Sequence, residues 1–173
     1  GEMRVERRMM LQATVIAHPE QGDSFTAHAL NDVVVGRGGV AKLLDIETRV
    51  DGVPLTSYRA DAVVVSTATG STGYALSAGS PILSPEGKML IVQPVAAHTG
   101  LRAGLVLPEE SVIALSASDE KPASLSVDGL EDYPLGPNSS VVVARSPYEA
   151  LFLRARPAKD FYSELTRRLG LVY

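Results

Sequence analysis

The chain of 173 residues has no cysteine and no tryptophan, and aromatic residues make up only 5% of it. Without cysteine there are no disulfides and no thiolate metal sites, a composition that suits a reducing cytoplasm. With so few large rings, the core must rest on Val, Leu, Ile and Ala. No apolar run approaches the ~20 residues that a membrane-spanning helix needs. No basic block stands out either: 16 Lys and Arg against 20 Asp and Glu give a net charge of −4, which argues against a nucleic-acid backbone as partner. Hydrophobic residues at 45% and charged residues at 21% describe an ordinary globular chain, long enough for one sizeable core. Three histidines are scattered along the chain (His18, His28, His98) and make a poor case for a transition-metal site.

What is present is a series of short strand patterns. Met9, Leu11, Ala13 and Val15 alternate with Met10, Gln12, Thr14 and Ile16, a period of two. His18-Pro19-Glu20-Gln21-Gly22-Asp23 reads as a turn. A Phe25 to Val35 segment follows, and Gly36-Arg37-Gly38-Gly39 breaks it. Leu44, Ile46, Thr48 and Val50 then alternate with Asp45, Glu47 and Arg49, and Asp51-Gly52 is a strong hairpin signal leading into Val53 to Tyr58. Ala62 to Val65 suits a buried strand. Met89 to Val95 is another, with Pro94 expected at a strand end or edge. Leu105 to Leu107, Val112 to Ser116, Ala123 to Val127 (closed by an Asp128-Gly129 turn), Val141 to Val143 and Leu151 to Leu153 complete the series.

Only the tail has a helical period. Phe161, Leu165 and Leu169 recur at i, i+4 and i+8, Asp160 can cap the start, and Gly170 suits the stop. Many short strands and one terminal helix over residues 160–169 predict an all-β, sandwich-like domain.

The stretch that stands apart runs from Asp61 to Pro81. After its apolar strand it turns abruptly to hydroxyls and small residues: Ser66, Thr67, Thr69, Gly70, Ser71, Thr72 and Gly73, then Tyr74. Each hydroxyl buried without a partner costs about 1–3 kcal/mol, so a core strand has little use for them. Two readings are open: a Ser/Thr/Gly surface turn, or a loop that wraps a polar ligand and lets the backbone approach it at Gly70 and Gly73. Asn31-Asp32 is likewise either a strand-end turn pair or a polar clamp. Asp61, before a buried Val run, reads as an edge charge or a cap.

The segment Thr67-Ala68-Thr69-Gly70-Ser71-Thr72-Gly73-Tyr74, with Ser77-Ala78-Gly79-Ser80-Pro81 after it, resembles the Thr-Pro-Thr-Gly-Ser-Thr-Ala-Tyr signature of the NAD kinases. Ala68 stands where that family usually has Pro, and Gly73 where it has Ala; both keep the site small. The resemblance covers nearly the whole chain, from Glu6-Arg7-Arg8-Met9-Met10-Leu11 to the Phe161-Tyr162 and Arg168-Leu169-Gly170 tail. It implies the β-rich C-terminal domain of an NAD kinase over residues 1–173, with the nucleotide-binding N-terminal domain outside this sequence.

The resemblance also implies roles for particular residues. Asn31 and Asp32 would hold the ribose of NAD, and Asp61 would contact the substrate near its nicotinamide amide. Thr72, Gly73, Tyr74 and Ser77 would surround the adenine and phosphates, and Thr69 would be a further substrate-binding residue. His98 matches a Pro-His-Ser segment of the family and is otherwise a structural histidine. The family's Gly-Gly-Asp-Gly-Thr motif, whose Asp is taken as catalytic, does not occur here, so no catalytic residue and no metal ligand is assigned. Mg²⁺ or another divalent metal, with ATP or polyphosphate as donor, would act with the longer protein, and this chain alone is expected to lack turnover. Further expectations are a cytoplasmic homo-oligomer that binds NAD or NADP, its own N-terminal domain as partner, and neither nucleic acid nor membrane. The second domain of a related lipid or sugar kinase, or a non-catalytic ligand-binding β module, is the alternative.

Overall fold

The structure is a computed structural model that describes residues 3–16, 24–38, 43–117, 121–136, 139–155 and 160–170. Its strands are β1 (Arg4–Ile16), β2 (Phe25–Ala29), β3 (Asp32–Arg37), β4 (Leu44–Val50), β5 (Val53–Ala60), β6 (Ala62–Thr67), β7 (Met89–Val95), β8 (Leu105–Pro108), β9 (Ile113–Ala117), β10 (Ala123–Val127), β11 (Glu131–Leu135) and β12 (Ser140–Arg154). A 3-10 turn at Gly70–Thr72 leads into the short helix α1 (Tyr74–Ser77), and α2 spans Asp160–Arg168. The predicted turn over His18 to Asp23, and Gly39 of the glycine break, lie outside the described residues.

The strands form two six-stranded sheets, ordered β2-β1-β12-β9-β4-β5 and β11-β10-β3-β6-β7-β8. The all-β, sandwich-like reading holds: alternate residues of one sheet (Leu11, Ala13, Ile46, Leu115, Val143) and of the other (Val33, Val35, Val63, Val65, Leu125) share one buried core. The chain divides into two compact units. Arg8–Ala150 is the larger. The other comprises Gly1–Arg7 with Leu151–Tyr173 and contains α2, none of whose residues is buried.

Local chemistry explains the joints. The β4–β5 hairpin closes Val50 onto Val53 through Asp51 and Gly52, both at positive φ (50° and 78°), as a two-residue primed turn requires. Pro94 pairs with Val63 on one side, while the ladder to β8 stops at Val92. Its missing N–H therefore breaks no bond.

Besides the short helix α1, where the sequence reading has a helix only in the tail, three strand features depart from that reading. β6 continues through Ser66 and Thr67 and is buried along its whole length. β12 is one strand of 15 residues rather than two short ones, and β11 was not anticipated.

The burial of β6 on both faces positions the loop after it. Val63 and Val65 point into the sandwich core, whereas Ala62, Val64 and Ser66 point outward and are still covered. Their cover is the segment after β6: Ala68, Ser71 and Ala75 are buried, and the Gln93 side chain of β7 donates to the Ala78 carbonyl at 3.1 Å. The hydroxyl-rich loop is thus strapped to the outer face of its own sheet.

Candidate functional site

A cleft of about 500 Å³ opens on that outer face. Its floor is Asp32 and Val34 of β3 with Ser126 of β10. Its walls are Thr69, Thr72, Gly73 and Tyr74 on one side and Asn31, Asp128 and Gly129 on the other.

The junction beneath it is tightly bonded. Where β6 ends, the Asn31 carbonyl accepts the Thr67 amide at 2.9 Å and the Ser66 hydroxyl at 3.1 Å. The Thr67 hydroxyl donates to the Leu30 carbonyl at 2.7 Å and accepts the Gly70 amide at 3.0 Å. The Ser71 hydroxyl donates to the Ala68 carbonyl at 2.7 Å and accepts the Leu83 amide at 2.9 Å. Most serine and threonine hydroxyls of the motif are therefore partnered inside the protein and shape the loop; Thr69 and Thr72 are the ones of these that line the cleft. Even Thr69 is engaged, accepting from the buried Arg8 guanidinium at 3.1 Å.

Opposite this loop, the Asp128 carboxylate accepts three consecutive backbone amides, from Leu30 and Asn31 at 2.7 Å each and Asp32 at 3.0 Å. Asp128 itself stands at φ 51°, a conformation Asp tolerates better than most residues. Asp32 is 7% exposed. Burial, and after it the charge of Asp128, raises its pKa from 3.8 to about 6. At neutral pH the floor of the cleft thus holds a carboxylate with acceptor capacity to offer a diol.

The structure gathers Asn31, Asp32, Thr69, Thr72, Gly73 and Tyr74 around one cleft. It places Asp61, Ser77 and His98 elsewhere. Asp61 precedes β6, so the six residues of that strand put it about 20 Å from the loop at the other end. There it pairs with Arg37 at 3.3 Å. His98 is exposed, with its amide donating to the Arg59 carbonyl at 2.8 Å, near that same far end. Ser77 closes α1 and faces solvent. Val34, Ser126 and Gly129 were not anticipated as lining residues, and Asp128 was read as turn chemistry only. The available signal was the polar alternation of Ser124 and Ser126 along β10, running into Asp128 just beyond its end.

Comparison with known proteins agrees with this architecture. Residues 30–155 match the family profile described as the ATP-NAD kinase C-terminal domain. The chain is 42% identical over 149 residues to an NAD kinase of Chloroflexus aurantiacus, covering 86% of this chain and 54% of that protein. It is 36% identical over 169 residues to an NAD kinase of Dehalococcoides mccartyi, covering 98% and 59%. Among solved structures, a yeast NADH kinase complexed with NADH superposes with a TM-score of 0.88 at 28% identity, over 96% of this chain and 48% of that one. An Archaeoglobus fulgidus NAD kinase in complex with ATP gives 0.77 at 27% identity, over 98% and 61%. The chain thus spans little more than half the length of the curated relatives it matches. By profile and by relatives, the chain belongs to the NAD kinase family, of which it carries the C-terminal domain.

Proposed function

We propose that this chain is the dinucleotide-binding part of an NAD kinase, which phosphorylates the 2′-hydroxyl of the adenosine ribose of NAD to give NADP. The observation that carries the reading is the cleft itself, in which the Asn31-Asp32 pair faces the Thr69–Tyr74 loop across a space of about 500 Å³. A carboxylate accepts from both hydroxyls of a ribose diol, and Asn adds a donor and an acceptor. Gly73 and the exposed face of Tyr74 supply close backbone approach and a surface for a flat base. Phosphoryl transfer depends mostly on positioning, so holding the acceptor hydroxyl is the share of the work assigned to these residues.

The phosphoryl donor, ATP or polyphosphate, is assigned to residues other than these. The sequence holds no Gly-Gly-Asp-Gly-Thr segment. Among the described residues no three His, Cys, Asp or Glu side chains gather to hold a divalent metal, so no step is derived through one. Among the described residues no helix is long and apolar enough to cross a membrane. We assign the protein to the cytoplasm and to a homo-oligomer. In that assembly the Asp61 end of one copy approaches the cleft of another, which would bring Asp61 to the substrate despite its distance within one chain. Light scattering that shows only monomer counts against this part.

A lipid or sugar kinase is not favoured, because the family matched is that of the NAD kinases. Thermal shift with NAD, NADP, diacylglycerol and a sugar panel tests the assignment. Stabilisation by the dinucleotides alone is expected, and stabilisation by the lipid or a sugar instead would overturn it. Incubation with NAD, Mg²⁺ and ATP or polyphosphate is expected to give no NADP from this chain alone. Steady NADP formation, free of host kinase, would place the catalytic carboxylate among Asp32, Asp61 and Asp128.

A further inference from the structure

Asp128 is separated by 96 to 98 residues from the segment whose amides it binds. One carboxylate oxygen takes the Leu30 amide, and the other takes the amides of Asn31 and Asp32. In return the Asp128 amide donates to the Asp32 carbonyl at 3.0 Å. The Asn31 carbonyl is held from the opposite side by Ser66 and Thr67. The backbone of residues 30–32 is therefore fixed through its N–H groups and the Asp32 carbonyl by Asp128, and through the Leu30 and Asn31 carbonyls by β6.

We propose that Asp128 is a positioning residue for the dinucleotide site: its carboxylate clamps residues 30–32 and thereby presents the Asn31 and Asp32 side chains to the cleft. The inference rests on the reading of the cleft as a ribose site. A neutral asparagine cap, with one acceptor oxygen, would meet fewer of these three amides. A carboxylate here instead sets a second negative charge against Asp32, which opposes ionisation of the very group that faces the ligand. Three amide donors hold the Asp128 carboxylate against residues 30–32. Of the other elements around Asp32, β6 presents Ser66 and the loop presents Thr69, Thr72 and Tyr74, none of them a carboxylate, an imidazole or a cation. Asparagine at 128 keeps the shape but turns its NH₂ toward one of the amides, losing a bond as well as the charge.

The test is NMR on the labelled chain. In the unaltered protein, the amides of Leu30, Asn31 and Asp32 should exchange slowly with solvent, as donors to the Asp128 carboxylate. In Asp128→Asn, the titration midpoint of Asp32 should fall below about 6, and NAD affinity should drop about tenfold. Asp132→Asn removes a charge from the same hairpin at an exposed position that binds none of these amides, and should move neither quantity. If Asp128→Asn leaves the Asp32 midpoint and the amides of residues 30–32 in place, the proposal is overturned. Should that variant not fold, the unaltered protein decides, since fast exchange of these three amides also overturns it. Absence of dinucleotide binding to the unaltered protein would remove the ribose reading instead, and the exchange of these amides would still decide whether Asp128 holds the turn.

Discussion

Gly70 lies directly against the Asn31 carbonyl: a Cβ placed on Gly70 would stand 2.1 Å from that oxygen and 2.5 Å from the Ser66 hydroxyl oxygen. Both neighbours belong to the junction that joins β3 to β6, so neither can swing away like a flexible side-chain end. Gly70→Ala should therefore force the loop off the sheet, at a cost of about 1–3 kcal/mol or more. Chemical denaturation measures it. A change within the ~0.5 kcal/mol of a neutral surface substitution would mean that the junction yields easily.

Thr67→Val keeps the shape of the side chain and removes its hydroxyl. The Leu30 carbonyl then loses its 2.7 Å donor, and the Gly70 amide loses its 3.0 Å acceptor. The expected loss is about 1–3 kcal/mol, because the group is buried and water cannot replace it. Thr72→Val is the contrast: its hydroxyl is exposed and reaches the Thr69 carbonyl only at 3.5 Å, so stability should stay the same. Equal effects of the two in a melting experiment would contradict the division between shaping and cleft-facing hydroxyls.

Asp32 gives the fold a pH dependence of definite sign. Its folded pKa of about 6 lies above the ordinary 3.8, so the folded state binds more protons than the unfolded state between those values. The contribution is full below about pH 4 and is lost as pH rises through about 6. Asp32→Asn should remove that slope and leave the stability of the protein flatter across this window. Dinucleotide binding should run the other way and strengthen as pH rises through about 6, because the ionised carboxylate is the form that accepts from the diol. Binding that weakens over the same window would contradict the role given to Asp32.

The sequence made the sandwich legible where one face was polar, as in Leu44 to Val50 with Asp45, Glu47 and Arg49 pointing out. It was less legible where physics is non-local. Ser66 and Thr67 look like loop residues, and only the Leu30 and Asn31 carbonyls across the sheet make them tolerable inside a strand. β12 runs straight through Ser146-Pro147, a pair that by itself reads as a break. At the site, Asn31, Asp32 and the Thr69–Tyr74 loop were visible as motifs. Asp128 was visible only as a turn, because its partners lie nearly a hundred residues away. The distance of Asp61 from them depends on the direction of β6, which no motif states.

That distance yields a prediction about assembly. If the Asp61 end of one copy completes the cleft of another, Asp32→Ala and Asp61→Ala should each weaken NAD binding separately, and mixing the two should restore part of it. Recovery is expected because some mixed sites combine an intact Asp32 with an intact Asp61. No recovery after verified exchange of copies would confine Asp61 to its ion pair with Arg37.

The most direct test is an NAD titration of the labelled chain followed by amide chemical shifts, which read even weak binding residue by residue. The expected result is saturable movement of Asn31, Asp32, Thr69, Thr72, Gly73 and Tyr74, the residues that line the cleft. In Asp32→Ala, with the fold intact, the affinity should fall about 10- to 150-fold, as for loss of charge-assisted hydrogen bonds worth roughly 1.5–3 kcal/mol. Saturable shifts confined to other surfaces, or an Asp32→Ala protein that binds NAD as well as the original, would contradict the assignment of this cleft to the dinucleotide.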